Sequence, residues 1–225
     1  MDLSALASFC SSAGLVLDEE REEQTVRFLE GLYRLNETMN LTRVKKADAV
    51  VRHVVDSLLV AEFLPNGARV LDVGTGPGFP AWPLACYRPD LRVTALDSSG
   101  KMLRALTLVP LSNLEVVQGR AEECADREGF DAVTGRAVAP LGVQMEISAP
   151  WCRVGGRVVP FRTPNDREAV EGFDASVLGL RLTSLEEREL PGVGAVRLFP
   201  IYEKSRRTPR EYPRTWAQIK GKPLG

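Results

Sequence analysis

The sequence predicts an α/β fold, with a mostly parallel sheet, an antiparallel terminal strand and a helical extension in front. Three observations carry this. From Arg69 onward, short apolar runs alternate with helical stretches, the pattern of strands joined by crossover helices. No convincing strand precedes Leu64. Two later strand-like runs, 180–189 and 196–203, flank Pro191-Gly192, as an antiparallel pair would.

Residues 18–39 open with Asp18, Glu19, Glu20, Glu22 and Glu23 and continue with Val26, Leu29, Leu32, Tyr33 and Leu35. Acids in a first turn suit the positive end of a helix. A second helix is expected over 47–63, where Val51, Val54, Val55, Leu58 and Leu59 form one apolar stripe. Pro65-Asn66-Gly67 then breaks the chain. ARVLDVG, LRVTALD, LEVVQG, FDAVTGRA and GRVVPF follow as strands, apolar enough to be covered on both faces. The expected division is a helical extension packed on the core (1–66), an α/β domain (67–204) and a basic tail (205–225).

A chain of 225 residues, 44% hydrophobic, suffices for one sizeable core and an appendage. No apolar run approaches the roughly 18 residues that span a membrane. The first residues carry Asp2 and no cation, unlike a secretory signal. A cytoplasmic monomer with no membrane partner is expected. Cys10, Cys86, Cys124 and Cys152 form no CxxC pair, and His53 is the one histidine. Neither a metal site nor a disulfide framework is expected, and the thiols read as reduced and mostly buried. Net charge is −1, yet residues 203–225 hold seven basic and two acidic residues, leaving −6 for the rest. Both a solvated tail and contact with a polyanion fit that asymmetry.

The strongest motif is Val70-Leu71-Asp72-Val73-Gly74-Thr75-Gly76-Pro77-Gly78-Phe79, between the first strand and a helix. Glycines there permit a sharp turn and close ligand approach. Dinucleotide sites favour G-x-G-x-x-G, whose amides at a helix N-terminus hold a pyrophosphate. This loop reads G-x-G-x-G, and Pro77 removes one donor. Fewer donors, with Asp72 just before them, suit a ligand without phosphate and with a cationic end. S-adenosylmethionine is such a ligand. Asp97 ends the second strand and is positioned to accept from ribose hydroxyls; that acid serves either cofactor. An NAD(P)-dependent oxidoreductase and a structural glycine turn stay open on these residues alone.

Together with Asn40-Leu41-Thr42, Arg52-His53-Val54-Val55-Asp56-Ser57, the GFP ending of the loop, Leu96-Asp97-Ser98, Gly119-Arg120-Ala121-Glu122-Glu123, Arg136-Ala137 and Tyr212-Pro213-Arg214, the chain resembles a known family from about residue 36 to 224. It is the bacterial small-subunit (16S) rRNA guanine-N7 methyltransferase family, called RsmG or glucose-inhibited division protein B. The resemblance implies a class I S-adenosylmethionine-dependent methyltransferase fold, Rossmann-like, acting on 16S ribosomal RNA or the small ribosomal subunit. It implies that Gly74, Gly76, Gly78 and Phe79 lie along the cofactor, Asp97 and Ser98 at its ribose and adenine, Ala121 and Glu122 beside the adenine, and Arg136 near the reaction centre. His53, Asp56 and Ser57 are then expected on the substrate side, braced by 40–42. A methyltransferase for a small molecule or protein is the alternative. Ala81 after GFP, Gly135 before Arg136-Ala137 and Arg162 after the fifth strand depart from the family pattern, which usually has glycine, serine and lysine there.

Without the resemblance, the RHxxDS segment reads as a polar surface cluster, in which Arg52 and Asp56, four apart, pair. No G-x-S-x-G elbow exists to present an acyl-transfer nucleophile. Guanine N7 carries a lone pair and no proton, so its methylation needs no general base; no acid/base residue is assigned. Asp56 is a candidate acceptor for the guanine Watson–Crick edge. Arg207, Arg210, Tyr212, Arg214, Lys220 and Lys222 are candidate RNA contacts, with Tyr212 and Trp216 either stacking on bases or packing the tail down.

Overall fold

The strand-like runs become strands, and their order places the glycine loop at the sheet's centre. A computed structural model describes residues 1–123 and 127–225; Cys124 lies outside the described residues. The strands are β1 (Arg69–Val73), β2 (Arg92–Asp97), β3 (Leu114–Gln118), β4 (Phe130–Arg136), β5 (Cys152–Phe161), β6 (Leu180–Leu190) and β7 (Ala195–Lys204), in one sheet ordered β3-β2-β1-β4-β5-β7-β6. The first five are parallel; β7 is antiparallel to both β5 and β6. Strand order reverses between β1 and β4, and ligands of such sheets bind in the crevice beyond the carboxyl ends at that switch point. Val73 pairs with Leu96 and Asp97 with Gln118, so these ends lie level.

The helices are α1 (Ser4–Ala13), α2 (Glu19–Met39), α3 (Asp56–Leu58), α4 (Ala81–Tyr87), α5 (Gly100–Leu103), α6 (Leu141–Ser148), α7 (Arg167–Gly172) and α8 (Trp216–Gly221). The acidic start of α2 behaves as expected: Asp18 caps it, accepting from the Arg21 amide at 2.9 Å. Sequence reading did not name α1. Its buried residues are Leu6 and Cys10, a stripe too narrow to stand out.

The segment expected as one amphipathic helix over 47–63 is instead a chain of short turns. A 3₁₀ turn (Lys46–Asp48) leads into a π-helical stretch (Val50–Val55), then α3, then a second 3₁₀ turn (Ala61–Phe63). VVRHVV carries four β-branched valines in six residues, which crowd the preceding turn of an ordinary α-helix. His53, Val54, Val55, Asp56, Ser57 and Leu58 are all buried. Packing on every side, not one apolar stripe, sets this geometry. RHxxDS is therefore no surface cluster beyond its exposed Arg52.

Two apolar clusters flank the sheet. One joins Leu6, Phe28, Leu29 and Leu32 of the N-terminal helices to Trp82, Leu84 and Val93. Phe28 stacks on Trp82 with ring centroids 4.2 Å apart. The other gathers Leu71, Val73, Met145, Ile147, Tyr202 and Ile219, so residues from the tail enter a core. Cys10, Cys86 and Cys152 are free and buried, as expected. Among the described residues, no helix is long and apolar enough to cross a membrane.

Candidate functional site

The loop after β1 spends its donors internally. Gly74 and Thr75 amides both donate to the Leu96 carbonyl, at 2.8 and 3.1 Å. Gly76 N–H donates to Asp97 Oδ2 at 2.8 Å. Pro77 has none. Gly78 and Phe79 amides donate to the Thr75 carbonyl at 3.1 and 2.9 Å. At the start of α4, Ala81 N–H donates to Asp72 Oδ2 at 3.0 Å and Trp82 N–H to the Gly78 carbonyl at 2.8 Å. The carboxylate of Asp72 thus occupies the helix N-terminus where a dinucleotide fold would hold a phosphate. Asp72 is fully buried and does not line the cavity described below. It braces the loop from beneath, where sequence reading had it beside a cationic ligand. Burial pushes its carboxyl up to about 7, opposed by the nearby Thr75 hydroxyl, the Ala81 amide and Arg136.

A cavity of about 320 Å³ opens beyond the ends of β1–β4, lined by Val73, Gly74, Leu96, Asp97, Ser98, Gly119, Arg120, Ala121, Glu122, Ala137, Val138, Ile147 and Trp216. Five predicted residues meet there: Gly74, Asp97, Ser98, Ala121 and Glu122. Asp97 is held rigidly, its Oδ1 accepting from Ser99 N–H at 2.8 Å and its Oδ2 from Gly76. Each oxygen keeps a further lone pair for a ligand hydroxyl. Gly74 has φ +68°, and a methyl there would meet Val138 at 3.0 Å. Gly76, Gly78, Phe79 and Arg136 do not line the cavity. Gly78, at φ +109°, turns toward the core, where a methyl would press on Leu106 at 2.5 Å. Sequence reading missed Trp216 as a lining residue because residues 80–215 separate it from the loop.

Beside the cavity lies a buried polar cluster. The His53 ring stacks on Phe79, centroids 4.3 Å apart, and the Arg136 guanidinium sits 5.5 Å from the Phe79 centroid. His53 Nε2 is 3.0 Å from Thr42 Oγ1, so 40–42 does brace this segment. Burial, with Arg136 nearby, lowers the His53 pKa to about 3; the ring is neutral at pH 7. Asp56 does not pair with Arg52. Its Oδ2 accepts from Arg136 Nη1 at 2.9 Å, while Arg197 donates through Nε to Oδ1 at 2.7 Å and through Nη2 to Oδ2 at 3.1 Å. Arg136 also donates to the Arg52 carbonyl at 3.2 Å. With three donors on a carboxylate only 2% exposed, the expected bond from Asp56 to a guanine edge has no place in this geometry. Ser57 turns back on its own helix, donating to the His53 carbonyl at 2.5 Å. Arg197 came from a closing strand and carried no motif.

The tail is pinned down, not a free arm. Lys204 is buried and donates to the Ala149 carbonyl at 2.5 Å and to the Thr208 hydroxyl. Arg127 donates to the carbonyls of Tyr212 and Thr208 at 2.7 and 3.0 Å. Arg214 clasps buried Glu146 of α6, with Nε–Oε1 2.8 Å and Nη2–Oε2 2.6 Å; its charge is committed. Arg207 lies 3.2 Å from Glu128. Arg210, Lys220 and Lys222 are exposed, with no ion pair recorded among the described residues. Tyr212 is half-buried beneath Arg214, 6.0 Å away. Arg43, Lys45, Lys46 and Arg52 are also exposed, on the stretch that carries His53. The run RVKK at 43–46 was the signal for them, passed over in favour of the tail.

The departures from the family pattern are structural. A methyl at Gly135 would lie 2.7 Å from the Val73 carbonyl oxygen and 2.9 Å from Gln144 Nε2. Arg162, 9% exposed, donates to the Ala139 carbonyl at 3.0 Å and to Gln144 Oε1 at 2.5 Å. It ties β5 to α6 and does not line the cavity.

Residues 21–190 match the family described as rRNA small subunit methyltransferase G. Two proteins named Ribosomal RNA small subunit methyltransferase G are similar throughout. One, from Lactobacillus delbrueckii subsp. bulgaricus, is 35% identical over 100% of both chains. The other, from Symbiobacterium thermophilum, is 39% identical over 91% of this chain and 90% of its own. Among solved structures, the T. thermophilus 16S rRNA N2 G1207 methyltransferase, in complex with AdoMet and guanosine, is 25% identical, with TM-score 0.51 over 69% of this chain and 40% of that one. M. jannaschii TYW2 in complex with AdoMet, 17% identical, shares the fold with TM-score 0.54, covering 67% and 76%.

Proposed function

The chain belongs to the rRNA small subunit methyltransferase G family, and on that premise we propose that it transfers the methyl group of S-adenosylmethionine to N7 of a specific guanine in 16S ribosomal RNA. The observation that carries the cofactor choice is the amide accounting. Every N–H from Gly74 to Trp82 is committed within the protein, so the loop has nothing to offer a diphosphate. That argues against NAD(P). The residues fit S-adenosylmethionine: Asp97, with a lone pair free on each oxygen, takes the ribose, and Ala121, Glu122 and Ser98 flank the adenine.

When bound, the cofactor supplies an electrophilic methyl. The protein's work is alignment and exclusion of water. N7 attack releases no proton, and His53, neutral with a pKa near 3, moves none. Phe79 and His53 stack on each other, with the Arg136 guanidinium 5.5 Å from the Phe79 centroid, and hold this cluster rigid. Arg136 orients the substrate side, its charge offset by Asp56 next to a guanine that becomes cationic in transfer. N7 is hidden in the deep major groove of A-form RNA, so the target is an accessible or splayed-out base. Arg210, Lys220 and Lys222 with Arg43, Lys45, Lys46 and Arg52 are the proposed phosphate contacts. Such cations favour RNA over a small-molecule or protein substrate. The proposed setting is the cytoplasm, with a monomer acting on 16S rRNA or the small subunit.

Two measurements test this. Calorimetry should give adenosylhomocysteine binding and none for NAD. Mass mapping of 16S rRNA from cells lacking the protein should show loss of one N7-methylguanosine, restored by the gene; retention of every methylated guanine refutes the assignment.

A further inference from the structure

Trp216 is the one aromatic among the exposed large apolar side chains of the described residues, 41% accessible at the rim of the cofactor cavity. Exposed indole is costly in water unless something covers it. Its surroundings are built. The Arg120 guanidinium lies 5.3 Å from the indole centroid and is itself fixed by Glu122, Nε–Oε1 2.6 Å. Arg120 and Glu122 bracket Ala121 on the loop after β3, and all three line the same cavity.

The tail has the rigidity to deliver the ring. Arg214, two residues earlier, is locked on buried Glu146, while Ile147, next to that glutamate, lines the cavity. Thr215 and Gln218 close a capping box around the first turn of α8. Ile219 is fully buried. At the far end the Leu224 carbonyl presses on Gly142 so closely that a methyl there would sit 1.6 Å from its oxygen. From 214 to 224 the chain is strapped along α6, and Trp216 faces the gap between α6 and the β3 loop.

We propose that the C-terminal tail is part of the cofactor site, with Trp216 as the outer wall at the adenine end, its indole stacking on the purine across from Ala121. This rests on the S-adenosylmethionine reading above. Arg120 backs the indole, and Arg214–Glu146 positions it. The tail then both carries exposed cations toward RNA and closes over the cofactor.

The test is calorimetric titration of adenosylhomocysteine into the wild-type protein, Trp216→Ala and Trp216→Phe, with thermal unfolding of each. Removing a stacking aromatic should weaken binding by about 10-fold or more; Trp216→Phe should recover most of it. As the ring is 41% accessible and belongs to neither apolar cluster, unfolding temperatures should agree within about 3 °C. The emission change on adding adenosylhomocysteine should be clearly smaller in Trp216→Phe than in the wild type, the difference being the Trp216 contribution, since the variant retains fully buried Trp82 and half-buried Trp151 on the Ala121 carbonyl. Equal affinity in all three proteins, with no loss of the fluorescence response, overturns the proposal. Absence of any adenosylhomocysteine binding by the wild type overturns the cofactor reading instead.

Discussion

Replacing Asp56 by asparagine keeps the side chain's size and removes its charge. The carboxylate is 2% exposed and accepts three hydrogen bonds from two guanidinium groups, at 2.7, 2.9 and 3.1 Å. Asparagine has one acceptor oxygen; its amide would point two donors at a guanidinium. Arg136 and Arg197 would then face each other in a half-buried space with no counter-charge. Breaking one partner of a buried pair costs about 3–5 kcal/mol. For a chain of this size each kcal/mol lowers Tm by roughly 2–4 °C, so the fall should be on the order of 10 °C. Scanning calorimetry at pH 7, with urea unfolding in parallel, measures it. A double variant, Asp56→Asn with Arg197→Met, should lose much less than the two single losses added together, because the second change removes the stranded cation. A loss below about 1 kcal/mol, or strict additivity in the double variant, would refute the argument that this cluster holds α3 to β4 and β7.

Other outcomes follow from the same geometry. His53, lowered from 6.5 to about 3, takes up its proton in the unfolded chain first, so its contribution is lost as pH falls between those values. Asp72, raised from 3.8 to about 7, has the opposite sign: its contribution is lost as pH rises from about 4 to 7. The two should nearly cancel between pH 4 and 6.5; Asp72→Asn should unmask a stability that climbs with pH by up to about 1.4 kcal/mol per unit, and a flat urea-midpoint profile for that variant would contradict this. Gly135→Ala should destabilise by about 1–3 kcal/mol through the clash with the Val73 carbonyl and weaken adenosylhomocysteine binding, read by urea unfolding and calorimetry. Neutralising Lys220 and Lys222 to glutamine should lower the salt slope of RNA binding by about 1–2, leaving adenosylhomocysteine affinity intact; an unchanged slope removes these two lysines from the RNA interface.

Local signals made much of this protein legible. Short apolar runs alternating with helical stretches, and the Pro-Gly turn at 191–192, delivered all seven strands and the antiparallel pair, because such runs are written into adjacent residues. The G-x-G-x-G spacing with Pro77 anticipated a loop poor in free amides, and the end of β2 placed Asp97. What failed was whatever depended on a distant partner. Asp56 was matched to Arg52, its neighbour on the helix, whereas its partners Arg136 and Arg197 arrive from β4 and β7. Asp72 was read as facing a ligand, but the reversal of the chain into α4 buries it under the loop. The basic tail counted as charge in sequence; in the fold, Lys204 and Arg214 are absorbed and an indole is set at the cavity. Composition and spacing decide which elements form and which chemistry each carries. Only long-range packing decides which charges meet, since ion pairing falls off within a few ångströms and sequence distance says nothing about that separation.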